Sequence, residues 1–220
     1  MLIEGSATRF RDLEAASSDN PKVIAVNAFV GFGPTDGLDS ILARTPIPDD
    51  FAVLSIDIDG NDYHVWNAVT RYKPQVVVIE YNPTIPTAVD FVQPADMSIN
   101  QGASIAALDR LGRDKGYELV AVTAHNCLFV RREYFPRFGI ADNSPASLRA
   151  DESMVTYIFN GFDGTVFIRG YGALGWHGIP YREERMQPLP RVFRKFPDSL
   201  GPVMKKVVKP YRWLKKRGWL

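Results

Sequence analysis

The apolar positions of this chain switch between two periods. From Lys22 to Phe29 (KVIAVNAF), Phe51 to Ile58 (FAVLSIDI) and Gln75 to Tyr81 (QVVVIEY) they run almost unbroken and are rich in Val and Ile. Such runs are the mark of strands buried on both faces of a sheet. Around them the apolar positions recur every three or four residues, which predicts helices. Phe10, Leu13 and Ala16 follow a capping Ser6 or Thr8, and a short helix is expected over Leu38–Arg44. Val65, Trp66, Val69 and Tyr72 follow the Gly60-Asn61 turn and run up to Pro74. Ile105, Leu108 and Leu111 follow Ser104, with Gly116 as the stop. The strand–helix–strand spacing from Phe51 to Tyr81 predicts a parallel crossover. Leu2–Glu4 reads as the end of a further strand, and Tyr117–Thr123 with Cys127–Arg131 as a hairpin.

These elements make residues 1–132 an α/β domain. Residues 133–188 read as a mixed extension, with strands at Val155–Asn160 and Thr165–Arg169 around the Asp163-Gly164 turn. Gly170-Tyr-Gly172-Ala-Leu-Gly175 matches the spacing of a dinucleotide-binding loop. Gly178 and Pro180 deny it the helix whose N–H groups would hold a pyrophosphate, so it reads as a loop only. Residues 189–220 form a tail cut by prolines and not expected to join the main core, with Pro210 interrupting any single helix.

Composition changes the picture in two ways. With 45% apolar and 23% charged residues among 220, the chain is of the ordinary globular class and not the disordered one. No apolar run approaches the ~18 residues of a spanning helix. The start, Met-Leu-Ile-Glu-Gly, lacks the features of a signal peptide, and the single Cys127 excludes a disulfide within the chain. A cytoplasmic, soluble domain is the expectation. The net charge of +1 hides an asymmetry: residues 189–220 carry ten Lys or Arg and one acid, leaving sixteen basic and twenty-four acidic residues in the rest. The tail segment VMKKVVKPYRWLKKRGWL mixes cations with Val, Trp and Leu. It suits an anionic membrane surface, nucleic acid without sequence recognition, or an acidic partner, or it is a solvated tail against its own acidic body.

In open α/β sheets ligands bind at the carboxyl ends of the strands. That rule selects Glu4, Asn27, Asp57 and Asp59, Glu80 and Asn82. The plain alternative is that Asp57, Asp59 and Asn61 cap a turn and a helix. Such an acidic edge suits the hydroxyls of a nucleoside or sugar. Asp57, Asp59, Glu80 and Asn82 also have the ligand chemistry of Mg²⁺ or Ca²⁺, without the spacing of an EF-hand. His64, in the first turn after this edge, is placed to act as a general base. His125 reads as a turn residue and Cys127 as core; no histidine pair has zinc spacing.

Met1-Leu-Ile-Glu-Gly, Arg9-Phe10, Asn27-Ala-Phe-Val30, Leu54-Ser-Ile-Asp-Ile-Asp-Gly-Asn-Asp-Tyr63 and Val77-Val-Ile-Glu-Tyr-Asn-Pro83 resemble the FkbM-like group of S-adenosylmethionine-dependent methyltransferases. The resemblance covers about residues 1–132. It implies a Rossmann-like class I methyltransferase sheet, with Glu4 on the ribose hydroxyls of the cofactor and Asn27 and Ala28 near its adenine. Asp57 would face the methionine portion or the acceptor, with Asp59 and His64 nearby. It implies O-methyl transfer to a hydroxyl of a small-molecule or glycan-linked acceptor, such as a sugar, lipid or secondary metabolite. The family's first strand and its glycine-rich turn have no counterpart ahead of Leu2, so the sheet is expected to be N-terminally incomplete, with unpaired edges. A start assigned too late, a truncated chain and completion by another chain each account for this, and the first is favoured here. The rival from another class is a non-catalytic binding module that retains the fold. A third reading keeps the enzyme and adds a divalent metal at Asp57, Asp59 and Glu80.

Overall fold

In the computed structural model, which describes residues 1–218, β1 (Leu2–Glu4) leads into α1 (Ala7–Ser17) and back to β2 (Ala25–Asn27), parallel to β1. Ser6 caps α1, its hydroxyl accepting from the Arg9 N–H. The second strand is shorter than its apolar run because Asn20 draws the Lys22 and Val23 N–H groups into a turn. After α2 (Leu38–Leu42) come β3 (Val53–Ile56), α3 (Asp62–Ala68) and β4 (Val76–Glu80), the expected parallel crossover. A long irregular segment precedes α4 (Ile105–Asp114), which Ser104 caps and after which Gly116 takes a left-handed conformation at φ +83°. β5 (Tyr117–Val122) and β6 (Asn126–Arg131) form the hairpin, and α5 (Pro145–Leu148) packs against α4 and β5.

These elements form a mixed α/β arrangement in two sheets. Among the described residues β1 pairs only with β2. The second sheet has the order β3-β4-β6-β5, in which β3 and β4 are parallel and β6 runs antiparallel to both its neighbours. Leu54, Ile56, Val77, Ile79, Leu119, Cys127 and Phe129 point to one face, where Val65, Trp66, Ile105, Leu108 and Leu111 of α3 and α4 bury them. The unbroken apolar runs predict burial on both faces, and β3 departs from that: Val53 is 56% exposed and Ser55 is exposed too. Glycine at 112 lets α4 close on the core, since a Cβ there would stand 2.8 Å from the Phe129 ring and 3.2 Å from that of Trp66.

Two compact units divide between Glu152 and Ser153, so that residues 133–152 belong with the α/β elements. The second unit contains the hairpin β7 (Thr156–Asn160) and β8 (Val166–Gly170), then the short pair β9 (Ala173–Leu174) and β10 (Ile179–Pro180), and finally α6 (Pro202–Lys216). The Gly170–Gly175 segment is the entry to that short antiparallel pair and opens no helix. The basic tail departs from expectation. α6 runs through Pro210 as one helix, forgoing the single N–H that proline lacks. Its Tyr211 is held within the unit, the ring 5.2 Å from that of Phe193 and the hydroxyl donating to the Pro188 carbonyl at 3.2 Å. Among the described residues no helix is long and apolar enough to cross a membrane.

Candidate functional site

The carboxyl ends of β3 and β4 bring three of the selected acids together. One carboxylate oxygen from each of Asp57, Asp59 and Glu80 lies within 4.8 Å of the other two. The turn after β3 makes this possible. Asp59 takes φ +58°, the only positive φ outside glycine among the described residues, and Gly60 follows at φ +142°. Aspartate tolerates the left-handed region better than most residues, and the second position requires glycine. The turn is locked by Asp62, a buried carboxylate that sequence reasoning missed: its oxygens accept from the Ile58 N–H at 3.0 Å and the Gly60 N–H at 2.9 Å. Burial pushes the Asp62 carboxyl up despite these bonds.

Burial, together with the crowding of negative charge, has its clearest effect on Glu80. Burial, then the neighbouring Asp62, Asp57 and Asp59, push its carboxyl from the usual carboxylate range to about 7. The folded chain therefore holds a proton on Glu80 that the unfolded chain has already released. Stability from this group is complete below the ordinary carboxylate range and is lost as pH rises through about 7. Glu80→Gln, thermally unfolded in the presence of chelator, is expected to match the parent chain in acid and to exceed it in melting temperature at about pH 8. A parent chain of equal or greater stability at that pH would show that burial and the neighbouring acids do not raise the Glu80 carboxyl.

A second polar centre lies in the irregular segment before α4. Gln93, buried, accepts from the Gln101 and Gly102 N–H groups at 2.7 Å each and donates to the Ile99 carbonyl at 2.7 Å. Its own carbonyl meets His64 Nε2 at 2.8 Å, and since a carbonyl only accepts, that nitrogen carries the proton. The His64 ring is flanked by those of Phe32 and Tyr63 at 5.5 and 5.4 Å. Only its Nδ1 is left for proton transfer. Asn61 donates to the Asp96 and Ile99 carbonyls, and Asn82 orders the next turn by accepting from Thr84 and donating to the Gln101 carbonyl. Arg149 pins the start of the same segment, donating to the Pro83 and Ile85 carbonyls at 2.6 and 2.7 Å. Asn61, His64 and Asn82 stand out in the sequence by their places after β3 and β4, whereas nothing in the periodicity signals the buried Gln93 and Arg149.

Glu4 stands on the other sheet. Its Oε1 accepts from the Ser6 N–H at 2.6 Å, and its Oε2 has no partner among the described residues. Its backbone carbonyl accepts from Asn27 Nδ2 at 2.8 Å and the Ala28 N–H at 3.2 Å, which ties the ends of β1 and β2 together. Between β1 and β3 opens a cavity of about 480 Å³, with Glu4 and Asp57 in its wall and a largely apolar lining that includes Ile3, Leu13, Leu38, Leu42 and Phe51. That size falls within the range of small-molecule sites. Asn27, Ala28, Asp59 and His64 are not part of that wall. Comparison with protein-family models, with curated proteins and with solved structures finds no match to this chain.

Proposed function

We propose that residues 1–152 form a Rossmann-like, FkbM-like methyltransferase domain that moves a methyl group from S-adenosylmethionine to a hydroxyl of a sugar, lipid or secondary metabolite. The observation that carries this reading is the shared cavity: Glu4 and Asp57, at the carboxyl ends of two strands in different sheets, line one space of about 480 Å³. A parallel crossover followed by an antiparallel hairpin whose last strand enters next to β4 also supports it.

The residues present fit part of the cofactor. Glu4 would hold the ribose hydroxyls through Oε2, and its tie to Asn27 and Ala28 would set the adenine side of the site. When bound, the cofactor supplies an electrophilic methyl group. Asp57 orients the acceptor hydroxyl by accepting its hydrogen bond. Glu80, its carboxyl pushed up to about 7, stands outside the cavity wall with an oxygen within 4.8 Å of one of Asp57, and is the base that takes the proton as the acceptor oxygen becomes a nucleophile. Asp59 adds negative charge beside that base. The same three carboxylates are hard oxygen donors of the kind that hold Mg²⁺ or Ca²⁺, so a cation is the alternative use of this edge.

Calorimetric titration of the chain with S-adenosylhomocysteine, beside Glu4→Ala, tests the reading. Binding in the micromolar range is expected, weakened about tenfold or more by loss of a charged hydrogen-bond acceptor. A folded chain that ignores the ligand would sink it. That outcome would leave the second reading, a binding module, which the open edges favour: among the described residues β1 and β3 each pair on one side only, and both line the cavity.

A further inference from the structure

We propose that α6 is a docking surface for an anionic lipid bilayer, lying in the plane of the headgroups. This inference is independent of the methyltransferase reading. From Pro202 to Arg217 the chain carries seven Lys or Arg and no acid. Its apolar residues form two stripes at helical spacing, and only one is used internally. The inner stripe, Met204, Val208 and Tyr211, faces the second unit: Val208 is 2% exposed and Tyr211 is held by Phe193 and the Pro188 carbonyl.

The outer stripe is the exposed Val203, Val207 and Pro210, running on to the half-buried Leu214, each three or four residues after the last. Val203 is 76% and Val207 49% exposed, a large apolar area for residues so close to the charged row. That row borders the stripe. Lys206, Trp213 and Arg217 lie along one side of it, with the Arg217 guanidinium 4.1 Å from the centre of the Trp213 ring, and Trp213 is 47% exposed. An exposed apolar stripe edged by cations and one tryptophan matches the boundary of an anionic bilayer in both respects. Acyl chains take the valines, headgroup phosphates take the Lys and Arg, and an indole prefers the layer between. A nucleic acid or a wholly polar acidic chain would satisfy the charges but leave the valine stripe in water.

The test uses the whole chain and sedimentation with vesicles of phosphatidylcholine containing about 30% phosphatidylserine, at about 50 mM NaCl. Co-sedimentation is expected, falling about tenfold or more at about 500 mM NaCl and absent with pure phosphatidylcholine vesicles. Val203→Asp combined with Val207→Asp should reduce partition about tenfold, and Lys206→Glu with Lys209→Glu should do at least as much. All four positions are exposed, so circular dichroism should be unchanged in both variants. No binding to the anionic vesicles, equal binding to the neutral ones, or valine variants that bind as the parent does would each overturn the proposal. Tighter capture by soluble polyglutamate than by the vesicles would overturn it in favour of an acidic protein.

Discussion

Trp66→Ala is expected to lower the stability of the chain by about 3–5 kcal/mol, the usual range for emptying a buried indole site. Trp66 is 1% exposed and lies where α3, α4 and the sheet meet, with ring contacts to Phe129 at 5.0 Å and to Tyr117 at 5.7 Å. The site cannot collapse easily. Glycine at 112 already brings α4 into contact with both Trp66 and Phe129, so no smaller residue remains to close the gap. Domains of this kind have a total stability of about 5–15 kcal/mol, so the loss is a large share of it. Urea unfolding followed by circular dichroism should show a midpoint about 1–2 M lower. A shift below about 0.3 M would mean that α3 is not anchored through this residue.

Gly60→Ala should be the most damaging small change near the acidic edge. A methyl group there would stand 2.9 Å from the Asn100 Cα and 3.1 Å from Gln93 Oε1. It would also place an L side chain at φ +142°. Conformational strain of about 1–3 kcal/mol adds to a steric conflict of similar size. The conflict is with backbone, so relief requires moving the segment that Gln93 organises or rotating the turn that Asp62 holds. Rotating the turn separates Asp57 and Asp59 from Glu80. Two readings of the variant should therefore change together: the urea midpoint should fall, and the Glu80 carboxyl, followed by NMR, should titrate closer to the ordinary carboxylate range. An unchanged Glu80 titration in a destabilised variant would show that the turn does not position the three acids.

The elements that were legible in the sequence are those marked by unbroken apolar runs or by local caps and turns. Ser6 and Ser104 cap the helices that follow them, Gly116 ends α4, and the Asp163-Gly164 turn closes β7 on β8. Asp57, Asp59 and Glu80 converge because the carboxyl ends of adjacent parallel strands must lie side by side. What escaped is what depends on distant partners. α3 stops at Ala68 although Val69 and Tyr72 remain buried, because Asp39, some thirty residues away, takes the Thr70 and Arg71 N–H groups at 2.8 and 3.0 Å. His64 reads as a candidate base from its place in the first turn, and nothing local reveals that Gln93 occupies its Nε2. Pro210 breaks a helix in isolation, yet the docking of Tyr211 and Val208 offsets the loss of one backbone bond.

The division between Glu152 and Ser153 is also a division of charge. The residues before it hold thirteen basic and twenty-one acidic side chains, and those after it thirteen basic and four acidic. The isoelectric point near 7.8 is thus an average over two opposite polyions and describes neither of them. Near neutral pH such a chain behaves as a block polyampholyte: it adheres to both anion and cation exchangers, its copies attract one another head to tail when salt is scarce, and added salt dissolves it where an evenly charged protein of the same net charge would be indifferent.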